Sequence, residues 1–241
     1  MSNDSHTVTV YSTDRTGGVS SGSYQALNLS YGVGDTIKAV TENRKRLKMH
    51  LNIHTLFSAK QVHGDTLFIA EQKVTEDIEV ENYDALMTNI SGIGLMIQQA
   101  DCQAVTLFDP IHKAVAAIHC GWKGSVSQIL GKTIQAMKTH YKSSPSDLYA
   151  TISPSLGPCC AEFTNHAKEL LPSFLAFQVK ENYFDFWKIS EMQLLDAGLQ
   201  KKNVRTSGKC TSCSQEFFSY RRACRESDGK TGRCATVIIL R

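Results

Sequence analysis

Long apolar runs are missing from this chain of 241 residues. A membrane-spanning helix needs about 18 or more consecutive apolar residues. The stretch 93–97 is cut short by Gln98, Gln99 and Asp101, and the stretch 114–118 runs into His119, so no contact with a membrane is expected. Strong charge of one sign is missing too. Lys and Arg number 26 against 23 Asp and Glu, a net charge of +3. That is too mild to imply a nucleic-acid partner, although it allows a local basic patch. Glycine (16) and proline (5) are scarce, and no internal repeat or low-complexity tract occurs, which excludes collagen-like or wholly disordered chains. The opening MSNDSHTVTV has no basic start followed by an apolar stretch, so we expect no secretory leader and a cytoplasmic location.

What is present suits a folded enzyme-sized unit. With 41% hydrophobic residues, the chain can bury a substantial core, and we expect a single domain over 1–241. Eight cysteines in a reducing compartment read as thiols or metal ligands rather than disulfides. By default most of them are small buried hydrophobes.

Periodicity predicts mixed elements. Val8, Val10 and Tyr11 suggest an opening strand, followed by a Gly/Ser-rich loop over 16–24. Asp35 and Thr36 can cap a helix whose stripe is Ile37, Val40, Arg44, Leu47 and Leu51, one face at helical spacing. Arg44 is the odd member of that stripe and on its own reads as a side chain reaching for water. Strands are expected over 57–62, 66–69, 94–99, 105–108, 114–118, 149–152 and 235–240, and helices over 125–141 and 190–197. The acidic stretch 71–82 reads as exposed. Hairpin and crossover connections together indicate an α/β domain, bordering on α+β, with a mixed β-sheet covered by helices.

The chemistry is expected in 100–124. If residues 109–112 form a four-residue hairpin loop, Cys102 and His119 stand opposite each other, with Cβ atoms about 5 Å apart. A one-residue slip would put them on opposite faces. Such a pair is either a thiolate nucleophile activated by histidine or part of a zinc site, which at a catalytic centre has three protein ligands and an open position. His63, ahead of Gly64, is the best candidate for the third ligand. The tail offers Cys210, Cys213, Cys224 and Cys234 at C-x2-C-x10-C-x9-C spacing. It lacks the second close pair of a zinc ribbon, so no second zinc site is expected from these four. Cys159 and Cys160 read as turn or core residues. The same tail carries Arg221, Arg222 and Arg233, which beside a Ser/Gly loop read either as anion binders or as a solvated basic face.

Ten collinear motifs carry a family resemblance: RTGGVSSGSYQALNL, VGD, ENRKRL, KQVHG, DALMT, ADCQAV, HCGWKG, ISPSLGPCCAEF, DFW, and FFSYRR with TGR. With these the chain resembles the YfiH/YlmD-type family, described both as laccase-domain or multicopper polyphenol oxidoreductases and as purine nucleoside phosphorylases. The resemblance implies a fold shared with deamidating-toxin cysteine hydrolases. It also implies a zinc held by His63, Cys102 and His119, with copper as the alternative metal. The implied activities are phosphorolysis of adenosine, inosine, guanosine and methylthioadenosine, and hydrolytic deamination of adenosine. A copper-dependent phenol oxidase and a metal-free Cys/His hydrolase are the alternatives. The expected partners are a purine nucleoside and phosphate. On this footing Arg44, with Asn28 nearby, is the first choice for binding phosphate and Arg221 and Arg233 the second, while Asp101 is a proton shuttle or supports the metal ligands. The chain departs from the family pattern at Cys120, Lys123, Ala104 and Ser190–Glu191, positions that bear on substrate preference.

Overall fold

The computed structural model describes residues 7–241. Its strands form two larger sheets rather than the one expected. The first holds β1 (Val8–Ser12), β2 (Thr55–Lys60), β4 (Ile78–Glu81), β6 (Ile93–Gln99) and β13 (Cys234–Leu240), in the order β1-β13-β6-β2-β4. The second holds β3 (Leu67–Ile69), β5 (Ala85–Thr88), β7 (Gln103–Asp109), β8 (Ala114–Cys120), β9 (Tyr149–Ile152) and β12 (Val204–Thr206), in the order β12-β9-β7-β8-β5-β3. Both sheets mix parallel and antiparallel neighbours. A short ribbon, β10 (Gln178–Lys180) with β11 (Tyr183–Phe184), stands apart.

The sheets pack face to face, and helices cover their outer faces. Leu95 and Ile97 of β6 and Ile238 of β13 meet Val115 and Ala117 of β8 between the sheets. On the other face of the first sheet, Met96, Val237 and Ile239 pack beneath Leu47 and Leu51 of α1 (Ile37–Leu51). On the other face of the second, Ala116 and Ile118 pack against Ile134 and Met137 of α3 (Ile129–Tyr141). Central strands are thus buried on both faces, which is why 93–97 and 114–118 read as continuous apolar runs instead of alternating ones. Such runs look the same whether one sheet or two lies beneath, so the layer count could not be read from the pattern. Each fully buried Leu or Ile here contributes about 1.5–3 kcal/mol.

Helix signals held where a cap or stripe marked them. The Thr36 side chain accepts a bond from the Ala39 N–H at 3.2 Å and starts α1. Asn52, at φ +50°, ends it. The helix expected over 125–141 is two pieces, α2 (Trp122–Val126) and α3, because Gln128 sits at φ +58° between them. The helix expected from 190 begins earlier, as α5 (Phe186–Asp196), where the Asp185 side chain accepts from Lys188 N–H. Two further short helices are α4 (His166–Glu169) and α6 (Tyr220–Glu226). The acidic stretch contains the edge strand β4.

The β7–β8 register differs from the expectation by two residues. Asp109 pairs with Ala114, and Ala104 rather than Cys102 stands opposite His119. The cause is local: Asp109 Oδ1 accepts from the N–H groups of Ile111 and His112, which keeps Asp109 in the strand and moves the turn to 110–113. A slip of two preserves side-chain direction, so Cys102 and His119 still share a face.

Candidate metal centre and cleft

The site lies where strand ends converge. His63 follows β2, Asp101 and Cys102 form the crossing from β6 to β7, and His119 is near the end of β8. Arg233 precedes β13, whose Cys234 pairs with Gln99. One end of the sandwich therefore gathers residues distant in sequence.

His63, Cys102 and His119 offer one donor atom each, all within 4.8 Å of one another. His63 Nε2 is 3.8 Å from Cys102 Sγ, and the two imidazoles meet edge-on with centroids 4.7 Å apart. The element that orders them is Asp84, fully buried. Its Oδ1 lies 2.7 Å from His119 Nδ1, which leaves Nε2 to face the cluster. The same carboxylate accepts backbone N–H bonds from His63 at 3.0 Å and Gly64 at 2.7 Å. Those bonds hold His63 in a left-handed conformation, φ +61°, that a non-glycine residue adopts only at some cost. Gly121 gives the cluster its room. A Cβ there would lie 2.9 Å from Cys102 Sγ and 3.3 Å from the His63 ring.

Electrostatics couple the three. Burial would push the Cys102 thiol up, but the charge on His119 and hydrogen bonds from His119 and His63 bring it down to about 6. Burial likewise opposes charge on His119, and the Cys102 thiolate and Asp84 outweigh it, raising the imidazolium to about 9. Asp84 is itself held below the usual carboxylate range: burial works against this, and His119 and the backbone donors prevail. One thiolate and two imidazoles are ordinary zinc donors, and three protein ligands leave a coordination position open. A carboxylate on the far nitrogen of a ligand histidine is the usual support for such a metal. The donor set therefore fits a divalent metal.

A cleft of about 1140 Å³ opens over the cluster. Trp122, Phe163 and Phe186 supply an aromatic wall, with Phe163 and Phe186 ring centroids 5.0 Å apart. Arg221 and Arg233 also line it. Their guanidinium groups donate to backbone carbonyls, Arg221 to Cys160 and Glu162, Arg233 to Thr231 and Gly232.

The other expected site residues have structural partners of their own. Arg44 is 3% exposed and does not line the cleft. Its guanidinium pairs with Glu79 at 2.7 Å, donates to the Leu29 carbonyl at 2.9 Å and lies 4.2 Å from the Tyr31 ring centroid. The cation on the apolar stripe has found a carboxylate and an aromatic face, both from residues that line the cleft, and it stands behind that wall. Asn28 is fully buried and organises its own loop, donating to Asp35 and accepting the Arg233 N–H. Asp101 borders the cleft, at φ +92°. Its oxygens accept from the Thr211 hydroxyl at 2.7 Å and the Arg221 N–H at 2.6 Å, so it braces the strand crossing that presents Cys102. Cys120 points away from His119 into the core, 3.4 Å from Ser125 Oγ, and burial raises its thiol to about 11. Asp84 was not singled out from sequence. Its signal was an acidic residue opening the buried strand ALMT.

Known proteins resemble this chain over most of its length. Residues 9–241 match the family model described as multi-copper polyphenol oxidoreductase laccase. A purine nucleoside phosphorylase, YlmD, of Geobacillus stearothermophilus is 31% identical, over 94% of this chain and 88% of that protein. A purine nucleoside phosphorylase of Bacteroides thetaiotaomicron is 30% identical, over 99% of this chain and 92% of that one. The crystal structure of a Bacillus licheniformis protein, YfiH, superposes with a TM-score of 0.86 at 28% identity, covering 97% of this chain and 93% of the other.

Proposed function

Because the chain belongs to the multi-copper polyphenol oxidoreductase laccase family, with relatives named purine nucleoside phosphorylases, we propose that its cleft splits purine nucleosides with phosphate. The products are the free base and ribose 1-phosphate, or 5-methylthioribose 1-phosphate from methylthioadenosine. Adenosine, inosine, guanosine and methylthioadenosine are the proposed substrates, with hydrolytic deamination of adenosine as a second activity. Support comes from one juxtaposition: two arginines and an aromatic wall border the same cleft as a three-donor cluster.

The chain's own groups divide the work by chemistry. Trp122, Phe163 and Phe186 offer faces for a purine. Arg233 and Arg221 offer guanidinium donors to phosphate, which a planar fork can grip in bidentate fashion. Neither is ion-paired to a carboxylate among the described residues. Phosphorolysis breaks the bond from ribose C1′ to the base while a phosphate oxygen bonds to C1′. Its transition state has oxocarbenium character, so holding the two reactants in line and stabilising charge supply most of the acceleration. His63, Cys102 and His119 would hold zinc, and when bound there the metal supplies Lewis-acid chemistry. Asp101, whose two oxygens hold the Thr211 hydroxyl and the Arg221 N–H, positions the crossing that carries Cys102.

The Cys102–His119 pair also supports a second reading, a metal-free hydrolase with a thiolate nucleophile. The test is to incubate metal-analysed protein with adenosine, with and without phosphate, and to identify the products. Adenine and ribose 1-phosphate formed only with phosphate support phosphorolysis, and inosine supports deamination. No turnover of any purine nucleoside would overturn the proposal, and turnover by protein free of metal would favour the hydrolase.

A further inference from the structure

Cys159, Cys160, Cys210 and Cys213 come together outside the cleft, their four sulfur atoms all within 4.8 Å of one another. Cys213 Sγ is 3.5 Å from Cys159 Sγ and 3.4 Å from Cys160 Sγ. All four are free thiols. A tetrahedral zinc with sulfur ligands at about 2.3 Å has them roughly 3.8 Å apart, so the spacing matches four ligands around one ion. From this juxtaposition we propose a second, structural metal site: a zinc bound by the four thiolates of Cys159, Cys160, Cys210 and Cys213.

The backbone around the cluster is built to hold it. Cys210 pairs with Ser155 in an isolated parallel bridge, with the Thr211 N–H on the Ser155 carbonyl at 3.0 Å. The Ser214 N–H closes the C-x2-C turn onto the Cys210 carbonyl at 3.0 Å, and the Gly157 N–H points at Cys210 Sγ from 3.3 Å. Gly157 has to be glycine, since a Cβ would come within 3.0 Å of Cys210 and 2.9 Å of Trp187. The second close pair that the tail spacing lacks is thus supplied from 50 residues upstream. Cys224 and Cys234 take no part in the cluster: Cys224 is exposed on α6, and Cys234 is buried at the start of β13.

The loops that carry the thiols are braced as well. Three arginines are hydrogen-bonded to the loops that bear the thiols. Arg222, 6% exposed, donates to the carbonyls of Thr211 at 2.8 Å and Ser214 at 2.9 Å. Arg221 donates to the Cys160 carbonyl, and Arg225 to Ser212 Oγ at 2.6 Å. Among the described residues none of the three pairs with a carboxylate. The Arg222 guanidinium also donates to the Ser212 and Phe217 carbonyls, so it ties the turn that bears Cys213 to the following segment. With every ligand position filled by protein, the ion would fasten the 154–163 loop to the 209–214 turn. Both meet Asp101, through the Leu156 N–H and the Thr211 hydroxyl, so the ion would stiffen the wall of the cleft.

The test uses the full chain, with zinc and cobalt as probes. Zinc content should fall by one equivalent in the Cys159→Ser/Cys213→Ser variant, and the intense sulfur-to-metal charge-transfer band of the cobalt-loaded protein should collapse with it. Cys102→Ala reports on the other cluster separately, so failure of the cleft site would leave this result readable. If the double variant does not fold, thiol labelling of the native chain decides. Cys159, Cys160, Cys210 and Cys213 should resist iodoacetamide until a chelator is added. Unchanged zinc content in a folded variant would overturn the proposal. So would equal labelling with and without zinc, or a disulfide among the four in zinc-exposed protein.

Discussion

Two clusters of soft ligands sit on either side of Asp101, and they differ in what they leave open. His63, Cys102 and His119 form the floor of a cleft and provide three donors. Cys159, Cys160, Cys210 and Cys213 provide four, and none of them lines the cleft. Three donors leave a coordination position for substrate, whereas four close the shell and leave a metal only the role of a clamp. The first cluster is ordered by a buried carboxylate that also binds the backbone of its neighbour. The second is ordered by turns, whose carbonyls Arg221 and Arg222 hold. Similar ligands thus suit chemistry in one place and architecture in the other, and the number of donors, together with access, makes the difference.

The sharpest way to break that contrast is Cys102→Ala. It should abolish metal at the cleft and lower nucleoside phosphorolysis by about 10³-fold or more, since the metal supplies several kcal/mol of charge stabilisation. Metal analysis and initial rates read this directly, and full metal with full activity would erase the distinction between the two clusters. Asp84→Asn removes the support while sparing the ligands. Metal affinity or activity should fall by about 10–100-fold, measured by competition with a chromogenic chelator.

Two arginines make a second contrast. Arg233→Ala should raise KM for phosphate by about tenfold or more, the loss of one charged hydrogen bond of about 1.5–3 kcal/mol. Arg44→Ala should leave KM for phosphate unchanged and instead cost about 1–3 kcal/mol of stability through the lost charged hydrogen bonds to Glu79 and the Leu29 carbonyl. Phosphate titration and chemical denaturation separate the two outcomes. The smallest effect is a pH profile in the metal-free protein. Alkylation of Cys102 should rise with a midpoint near 6 instead of the ordinary value of about 8.5. Stability from this depressed thiol is complete above its unfolded pKa and drains as pH falls through about 6. Stability from the raised His119 is complete below its unfolded pKa and drains as pH rises through about 9. The two slopes oppose each other in between, so the pair is better read by reactivity than by melting.

The cleft cluster was legible in the sequence because strand alternation survives a two-residue error in register. Cys102 and His119 share a face under either pairing, and only a slip by one would have parted them. Arg44 shows the limit. Periodicity put a cation on a buried stripe but could not say that Glu79, on a strand 35 residues away, would meet it. The four-thiol cluster was hidden for the same reason: its halves lie about 50 residues apart, and spacing rules see only neighbours. Two stacked sheets were read as one because strands buried on both faces carry no alternation to reveal which layer covers them.

The most direct test of the cleft's chemistry is metal removal and return. Wild-type protein is stripped with a chelator, its metal content measured, and adenosine phosphorolysis followed as zinc is added back. The rate should fall to background in the stripped protein and recover with zinc, and zinc should restore nothing to Cys102→Ala. Stripped protein that still splits adenosine with phosphate, with no metal detectable, would contradict the assignment of His63, Cys102 and His119 as a catalytic metal centre.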